Sequence, residues 1–362
     1  MNDNRFRNTQ QRRTFRHPSL PQEKHSAPFE PFTFVVTADT QFGMIDQNEK
    51  DSVHDSYAEV EYSRKAIAAI NQMNPRPLFC CICGDLVDMT SEIYTNTPKT
   101  QQQANASKDG FSNASRIWTK EECDSEQDEQ FRVFRETWNE LHQDIPLVCL
   151  CGNHDVGNRP NAASINRFQK LFGDDYFSFW ANGSYNIVIN SSLISQPDDA
   201  MELCEKQLQW IEERLAYANE AKAAIIFVFS HHPLFLYDQD EDETELSGTL
   251  RIHWPPAYAH RQNSQIKIPE SYFPLPRTRR KRLLDLFAKY NVAACFAGHF
   301  HQNLVRTTSF GMDMITTGPL SLVLPSDNNP SDEPFAVGFR LVHVKQEEET
   351  GKCVFDHSFN PL

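Results

Sequence analysis

Five short apolar runs in this chain end abruptly in polar side chains of types that can bind metal ions, and this repeated plan constrains the fold more than any other feature. Phe32 to Ala38 ends in Asp39-Thr40-Gln41, and Leu78 to Cys83 ends in Gly84-Asp85-Leu86-Val87-Asp88. Ile145 to Leu150 leads through Cys151 into Gly152-Asn153-His154-Asp155. Ile225 to Phe229 ends in Ser230-His231-His232-Pro233, and Ala293 to Ala297 ends in Gly298-His299-Phe300-His301. Runs of this length and composition read as buried strands. In open α/β sheets, ligands bind outside the carboxyl ends of strands. Any one of these endings, alone, is compatible with a structural turn. Five that all supply Asp, Asn, Gln or His point to one shared metal site.

Between the first two strands, Tyr57 to Met73 has helical spacing, with Ala58, Tyr62, Ala66, Ala69, Ile70 and Met73 on one side, and Asn74-Pro75 stops it. A strand, a helix and a strand at this spacing make a βαβ unit and predict a parallel sheet. Further helices are expected over residues 126–141, 163–171, 202–218 and 277–290, and a further strand over 185–189. Met312 to Thr317 and Phe339 to Lys345 alternate like antiparallel strands. Residues 1–30 are polar, rich in Arg, Gln and Pro, and read as a disordered tail. The domain is then 31–346, with polar or proline-rich insertions at about 90–125 and 247–276, and 347–362 is a C-terminal tail.

Composition narrows the function classes. The net charge is −14 and the pI about 5.4, whereas a nucleic-acid binder usually shows a basic face. A phosphate substrate is compatible with this balance, because bound cations reverse the local field. No apolar run approaches the length of a membrane span, and the N-terminus lacks the apolar core of a signal peptide. The expectation is therefore a cytoplasmic protein with no nucleic-acid or membrane partner. The nine cysteines fit reduced core thiols, and Cys81-x-Cys83 reads as strand alternation, not a zinc site.

The residue types at the strand ends suit two divalent ions. Carboxylate, amide oxygen and imidazole bind Mn, Fe and Zn, and no thiolate is among the candidates. Alternation places the imidazoles of His299 and His301 on one face of an extended chain. A carboxylate can bridge two ions, and such a pair clamps the attacking and leaving oxygens of an in-line displacement. A phosphoryl group there needs positioning and charge neutralisation, with no protein nucleophile.

Together, Asp39-x-Gln41, Gly84-Asp85-x-x-Asp88, Gly152-Asn153-His154-Asp155, His231-His232-Pro233 and Gly298-His299-x-His301 resemble the calcineurin-like metallophosphoesterase superfamily, over residues from about 32 to 345. The resemblance implies an α/β fold, a four-layer α/β/β/α sandwich. It implies that Asp39, Gln41 and His301 hold one ion with Asp85, that Asp85 bridges, and that Asn153, His231 and His299 hold the other. His154 would be the general acid, or a group stabilising the phosphoryl oxygens, oriented by Asp88 or Asp155. His232 is left beside the ligands and, with Tyr272 and Phe273, is assigned to substrate contact. The common family pattern has His where this chain has Gln41. The ions are therefore open among Mn, Mg, Fe and Zn, with Mn favoured because amide oxygen suits harder ions.

The Asp-x-Gln form and the Tyr272-Phe273-x-x-Pro276 stretch before the Arg-rich helix are most similar to a cytosolic branch of serine/threonine-protein phosphatases. That similarity implies hydrolysis of phosphoserine and phosphothreonine in proteins by a metal-activated hydroxide, with a kinase such as protein kinase B among the partners. Two alternatives keep the same fold: a metal-dependent phosphodiesterase for cyclic nucleotides or lipids, and an inactive phosphopeptide-binding scaffold.

Overall fold

Phenylalanine fills the space between two sheets and holds them face to face. The computed structural model describes residues 3–6, 28–45, 58–90, 119–252, 267–326 and 335–362 of the chain. In the first sheet, β1 (Phe32–Thr37), β2 (Cys80–Ile82) and β3 (Leu147–Cys149) run parallel, and α1 (Ala58–Asn71) makes the crossover from β1 to β2. The second sheet holds β4 (Phe177–Ala181), β5 (Ser184–Val188), β6 (Ile225–Phe229), β9 (Ala294–Ala297), β10 (Leu304–Thr307) and β11 (Asp313–Thr316) in the order β10-β11-β9-β6-β5-β4. A separate two-stranded ribbon pairs β7 (Thr249–Arg251) with β8 (Lys267–Pro269). The first sheet is completed by β12 (Gly338–Gln346) and β13 (Cys353–Pro361), giving the order β13-β12-β1-β2-β3.

Helices cover both outer faces. On the first sheet, α2 (Lys120–Trp138) and α4 (Ala162–Phe172) bury Phe131, Phe134, Trp138, Phe168 and Phe172 in a cluster with Val35, Ile82 and Cys149. On the second, α6 (Met201–Glu220) and α7 (Arg277–Lys289) bury Leu208, Ile211, Leu215, Leu283 and Phe287 against Ile187, Val228 and Cys295. Two short helices, α3 (Asn153–Val156) and α5 (Ser191–Ser195), sit directly at strand ends. The result is the expected four-layer α/β/β/α sandwich. Between the sheets, Phe34 stacks on Phe79 with ring centroids 4.7 Å apart, and meets Phe227 at 5.4 Å and Phe296 at 5.6 Å. Edge and offset contacts of this kind add to area burial.

Several elements depart from expectation. Cys353–Pro361, expected as a tail, is the edge strand β13, paired antiparallel along the whole of β12. Its Phe355 reaches Phe227 of the facing sheet, at 5.5 Å between centroids. Within 1–30, expected to be disordered, Asp3–Phe6 forms a 3-10 turn: Phe6 is buried beside Phe134, and Arg5 donates to the carbonyls of Asn139, His142 and Ile145. The helix expected from 126 begins at Lys120, because Thr119 and Glu122 form a reciprocal capping box that fixes its first turn. Residues 120–125 therefore leave the insertion, and 91–118 lie outside the described residues. In the insertion at 247–276, β7 and β8 are ordered, while Trp254 and Tyr258 lie outside the described residues. β11 is antiparallel to β10 but parallel to β9, so the expected antiparallel character holds on one side only.

Phe34 is fully buried at the centre of the inter-sheet layer. Phe34→Ala is expected to lower the unfolding free energy by about 3–5 kcal/mol, the usual cost of a truncated core phenylalanine, as measured by denaturant titration.

Candidate metal centre

The parallel strands β1, β2, β3, β6 and β9 deliver all five polar endings to one end of the sandwich. The sheets lock together there through His231 Nδ1, 2.9 Å from the Cys83 carbonyl, and through the His299 amide, which donates to both Asp39 oxygens at 3.1 and 3.0 Å. The chain turns sharply as it leaves the strands. Asp39, Gln41, Asp85, His299 and His301 all have positive φ, between 38° and 65°. Left-handed backbone is unfavourable for residues with a Cβ and clusters at functional sites. Gly152 has no room for a side chain: a Cβ would overlap the Asp85 carboxylate and its amide.

Around His231 Nε2 gather Asn153 Oδ1 at 2.9 Å, His299 Nδ1 at 3.1 Å and Asp85 Oδ2 at 3.3 Å. Four donor atoms with edges of this length fit one ion bound at roughly 2.0–2.2 Å. Asp85, His231 and His299 place their ligand atoms within 4.8 Å of one another. The Cys83 carbonyl takes the Nδ1 proton of His231 and so leaves Nε2 for the ion. The second group is Asp39, His301 and Gln41. His301 Nε2 lies 3.5 Å from Asp39 Oδ1, and its Nδ1 lies 2.5 Å from the Leu322 carbonyl. Gln41 donates its Nε2 proton to Asp88 Oδ1 at 3.0 Å, which leaves Oε1 buried without a hydrogen-bond partner. Buried acceptors are rarely left so, and a cation beside Oε1 would supply what is missing. Both groups therefore fit a divalent ion, and Asp85, whose backbone carbonyl accepts from the Gln41 amide at 2.8 Å, adjoins the second.

Charge at the site follows from burial and proximity. Burial works against ionisation of Asp85, yet His231 and His154 hold it well below the usual carboxylate range. Burial, together with the neighbouring Asp85, pushes Asp39 well up. Burial keeps His299 and His232 neutral, and lowers His301 to about 4. Burial also opposes charge on His231, but Asp85 and Asp39 outweigh it and raise it to about 9.

His154 lies beside the ligands. Its backbone amide donates to Asp85 Oδ1 at 2.8 Å, while its ring Nδ1 lies 2.7 Å from the Asp88 carbonyl and 3.3 Å from Asp88 Oδ1. Its side chain is 21% exposed, more than the fully buried ligands Asp39 and His231. Burial disfavours its charge, but Asp85 and Asp88 prevail and raise it to about 10. Asp88 is therefore the carboxylate that orients His154. Asp155 instead accepts from the amides of Leu86, Val87 and Gly152, tying the β2 and β3 endings together.

His232 sets its Nδ1 3.0 Å from Ser191 Oγ. That hydroxyl also accepts from the amides of His231 and His232, at 3.1 and 2.9 Å, so Ser191 shapes the whole turn. Sequence reasoning missed Ser191, although Asn190-Ser191 closely follows β5 and meets the same strand-end criterion. Tyr272 is 40% exposed and its ring lies 5.1 Å from His299. Phe273, expected at the substrate rim, is 2% exposed and packs with Phe300, Leu236 and Leu304 beneath His299. It forms the floor under a ligand and has no surface free for substrate.

Comparison with known proteins adds to this geometry. The family model described as calcineurin-like phosphoesterase matches residues 32–303. The chain is 30% identical over 334 residues to serine/threonine-protein phosphatase CPPED1 of Homo sapiens, covering 91% of this chain and 85% of that protein. Its similarity to CPPED1 of Danio rerio is 30% over 303 residues, covering 83% and 79%. Among solved structures, purple acid phosphatase PPD1 from yellow lupin (Lupinus luteus) seeds shares the fold, with a TM-score of 0.51 and 12% identity over 91% of this chain and 54% of that one.

The proton on His231 gives the site a pH signature. Its pKa in the ion-free protein, about 9, lies above the ordinary 6.5, so below pH 9 a proton must leave Nε2 before an ion binds there. Affinity for Mn²⁺ is expected to rise with pH by up to ~10-fold per unit until about pH 9 and then level off. Calorimetric titration in buffers of different ionisation enthalpy counts the protons released.

Proposed function

This chain belongs to the calcineurin-like phosphoesterase family, and from that premise we propose that it is a two-metal phosphomonoesterase that removes phosphate from phosphoserine and phosphothreonine in proteins. The observation that carries the reading is His154, an imidazole partly open to solvent, held through Nδ1 by Asp88 with Nε2 available to carry a proton, directly beside the ligand cluster. A phosphomonoester of serine has a poor leaving group that needs such a proton. The curated relatives named serine/threonine-protein phosphatase support the same substrate class.

Each residue then has a task. Asp39, Gln41, His301 and Asp85 would hold one ion, and Asp85, Asn153, His231 and His299 the other. Bound there, the two ions supply charge neutralisation for the phosphoryl oxygens and lower the pKa of water. Asp88 holds His154 through Nδ1, leaving Nε2 to give its proton to the departing serine or threonine oxygen. Tyr272, exposed above His299, is the residue we place against the substrate. The amide ligands Gln41 and Asn153 favour Mn²⁺ over Zn²⁺, because neutral oxygen donors suit harder ions.

A phosphorylated protein, with a kinase such as protein kinase B as a candidate, is the partner this reading puts first. A cytoplasmic setting fits the cysteines, none of which forms a disulfide among the described residues. Among the described residues no helix is long and apolar enough to cross a membrane. The class of reaction is tested by turnover of p-nitrophenyl phosphate against its bis-ester, with Mn²⁺ and with chelator. Faster diester turnover would favour the phosphodiesterase alternative, and no turnover with either would favour the scaffold.

The role of His154 has its own measurement. His154→Gln is expected to lower kcat on a phosphoserine peptide by ~10²–10⁴ and to lower it less on p-nitrophenyl phosphate, whose leaving group needs no proton. Metal content by elemental analysis should stay at the wild-type level.

A further inference from the structure

Asn153 can bind an ion through Oδ1 only if something fixes its amide, because the oxygen and nitrogen faces of an Asn side chain are nearly the same shape. In this fold the fixing group comes from far along the chain. Asn153 Nδ2 donates to the Tyr272 hydroxyl at 3.2 Å, and that hydroxyl donates its own proton to Asn158 Oδ1 at 3.1 Å. Asn158 thus turns a lone pair of the Tyr272 oxygen toward Asn153, and Oδ1 is left facing His231 Nε2 at 2.9 Å.

The same tyrosine touches a second ligand. Its ring centroid lies 5.1 Å from that of His299, whose Nε2 is buried without a hydrogen-bond partner. His301 and His231 are each oriented by a backbone carbonyl, whereas His299 is held by rings: Tyr272, Phe273 at 5.2 Å and His232 at 4.3 Å.

Tyr272 itself is braced. It ends the 3-10 turn Glu270–Tyr272, which follows directly on β8. Glu270 is buried, its amide donates to the Gly248 carbonyl at 3.0 Å, and its carboxylate accepts from the Tyr237 hydroxyl at 2.6 Å and from Ser326. A Cβ at Gly248 would collide with that carboxylate, so the chain just before β7 closes tightly on Glu270.

We propose that Tyr272 is a positioning residue of the metal centre: its hydroxyl selects the oxygen face of Asn153 for the ion, and the β7–β8 ribbon serves as its brace. The proposal rests on the two-ion reading above. The experiment is calorimetric titration of Mn²⁺ into metal-stripped full-length protein, for wild type, Tyr272→Phe, Asn153→Asp, the double variant and Asp85→Asn. Tyr272→Phe keeps the ring and removes only the hydroxyl. It is expected to weaken one of the two binding steps by ~10–100-fold, the usual effect of losing a group that orients a ligand. A carboxylate presents oxygen whichever way it turns, so in the Asn153→Asp background the same change should weaken binding less than about two-fold. Wild-type affinity in Tyr272→Phe would overturn the proposal. So would an equal loss in both backgrounds, which is what general damage to the turn would produce. Asp85→Asn separates the two levels: if it binds Mn²⁺ as wild type does, the two-ion reading itself fails, and if it loses binding while Tyr272→Phe does not, only the proposal fails.

Discussion

Asp39 and Asp85 are two carboxylates buried side by side, and the rest of this end of the fold answers to them. An ionised group out of water costs several kcal/mol unless it is compensated. The protein supplies part of the compensation through His231, His154 and the His299 amide. It leaves the neutral imidazoles of His299 and His301 and the bare Oε1 of Gln41 aimed into the same space. A cluster of acceptors and neutral bases around two buried carboxylates calls for cations, and the donor set is one that divalent ions accept.

This arrangement requires backbone that the chain would not adopt by itself. Five of the ligand residues have left-handed φ, each at a cost of about 1–3 kcal/mol. The interlocked phenylalanines between the sheets and the helices on both outer faces offset that strain. Rigid packing also explains how ligands spread between positions 39 and 301 hold separations of about a hydrogen bond. The strands fix the positions of their own ends, and contacts such as His231 Nδ1 to Cys83 fix one sheet against the other.

Much of this was legible in the order of the residues, because a buried parallel strand has a plain signature and its carboxyl end is where ligands go. The four-layer sandwich and the set of strand endings follow from that rule. What escaped notice was local. β4 lies before Asn182-Gly183, whose positive φ values of 49° and 81° make a tight hairpin, and Asn-Gly is a strong turn signal. β13 was hidden by Glu347-Glu348-Glu349, which reads as a polar tail although Cys353, Phe355 and Phe359 alternate beyond it. Phe273 could not be told from Tyr272 without burial: their rings lie 5.2 and 5.1 Å from that of His299, and only exposure, 2% against 40%, separates them. Contacts that run through backbone carbonyls, such as Leu322 to His301, carry no residue signature at all.

The central claim is that Asp85 stands between two ions. Anomalous diffraction from crystals grown with Mn²⁺ tests it most directly. The account predicts two peaks flanking the Asp85 carboxylate, one contacted by Asp39, Gln41 and His301 and the other by Asn153, His231 and His299. A single peak, or two peaks of which neither touches Asp85, would contradict it.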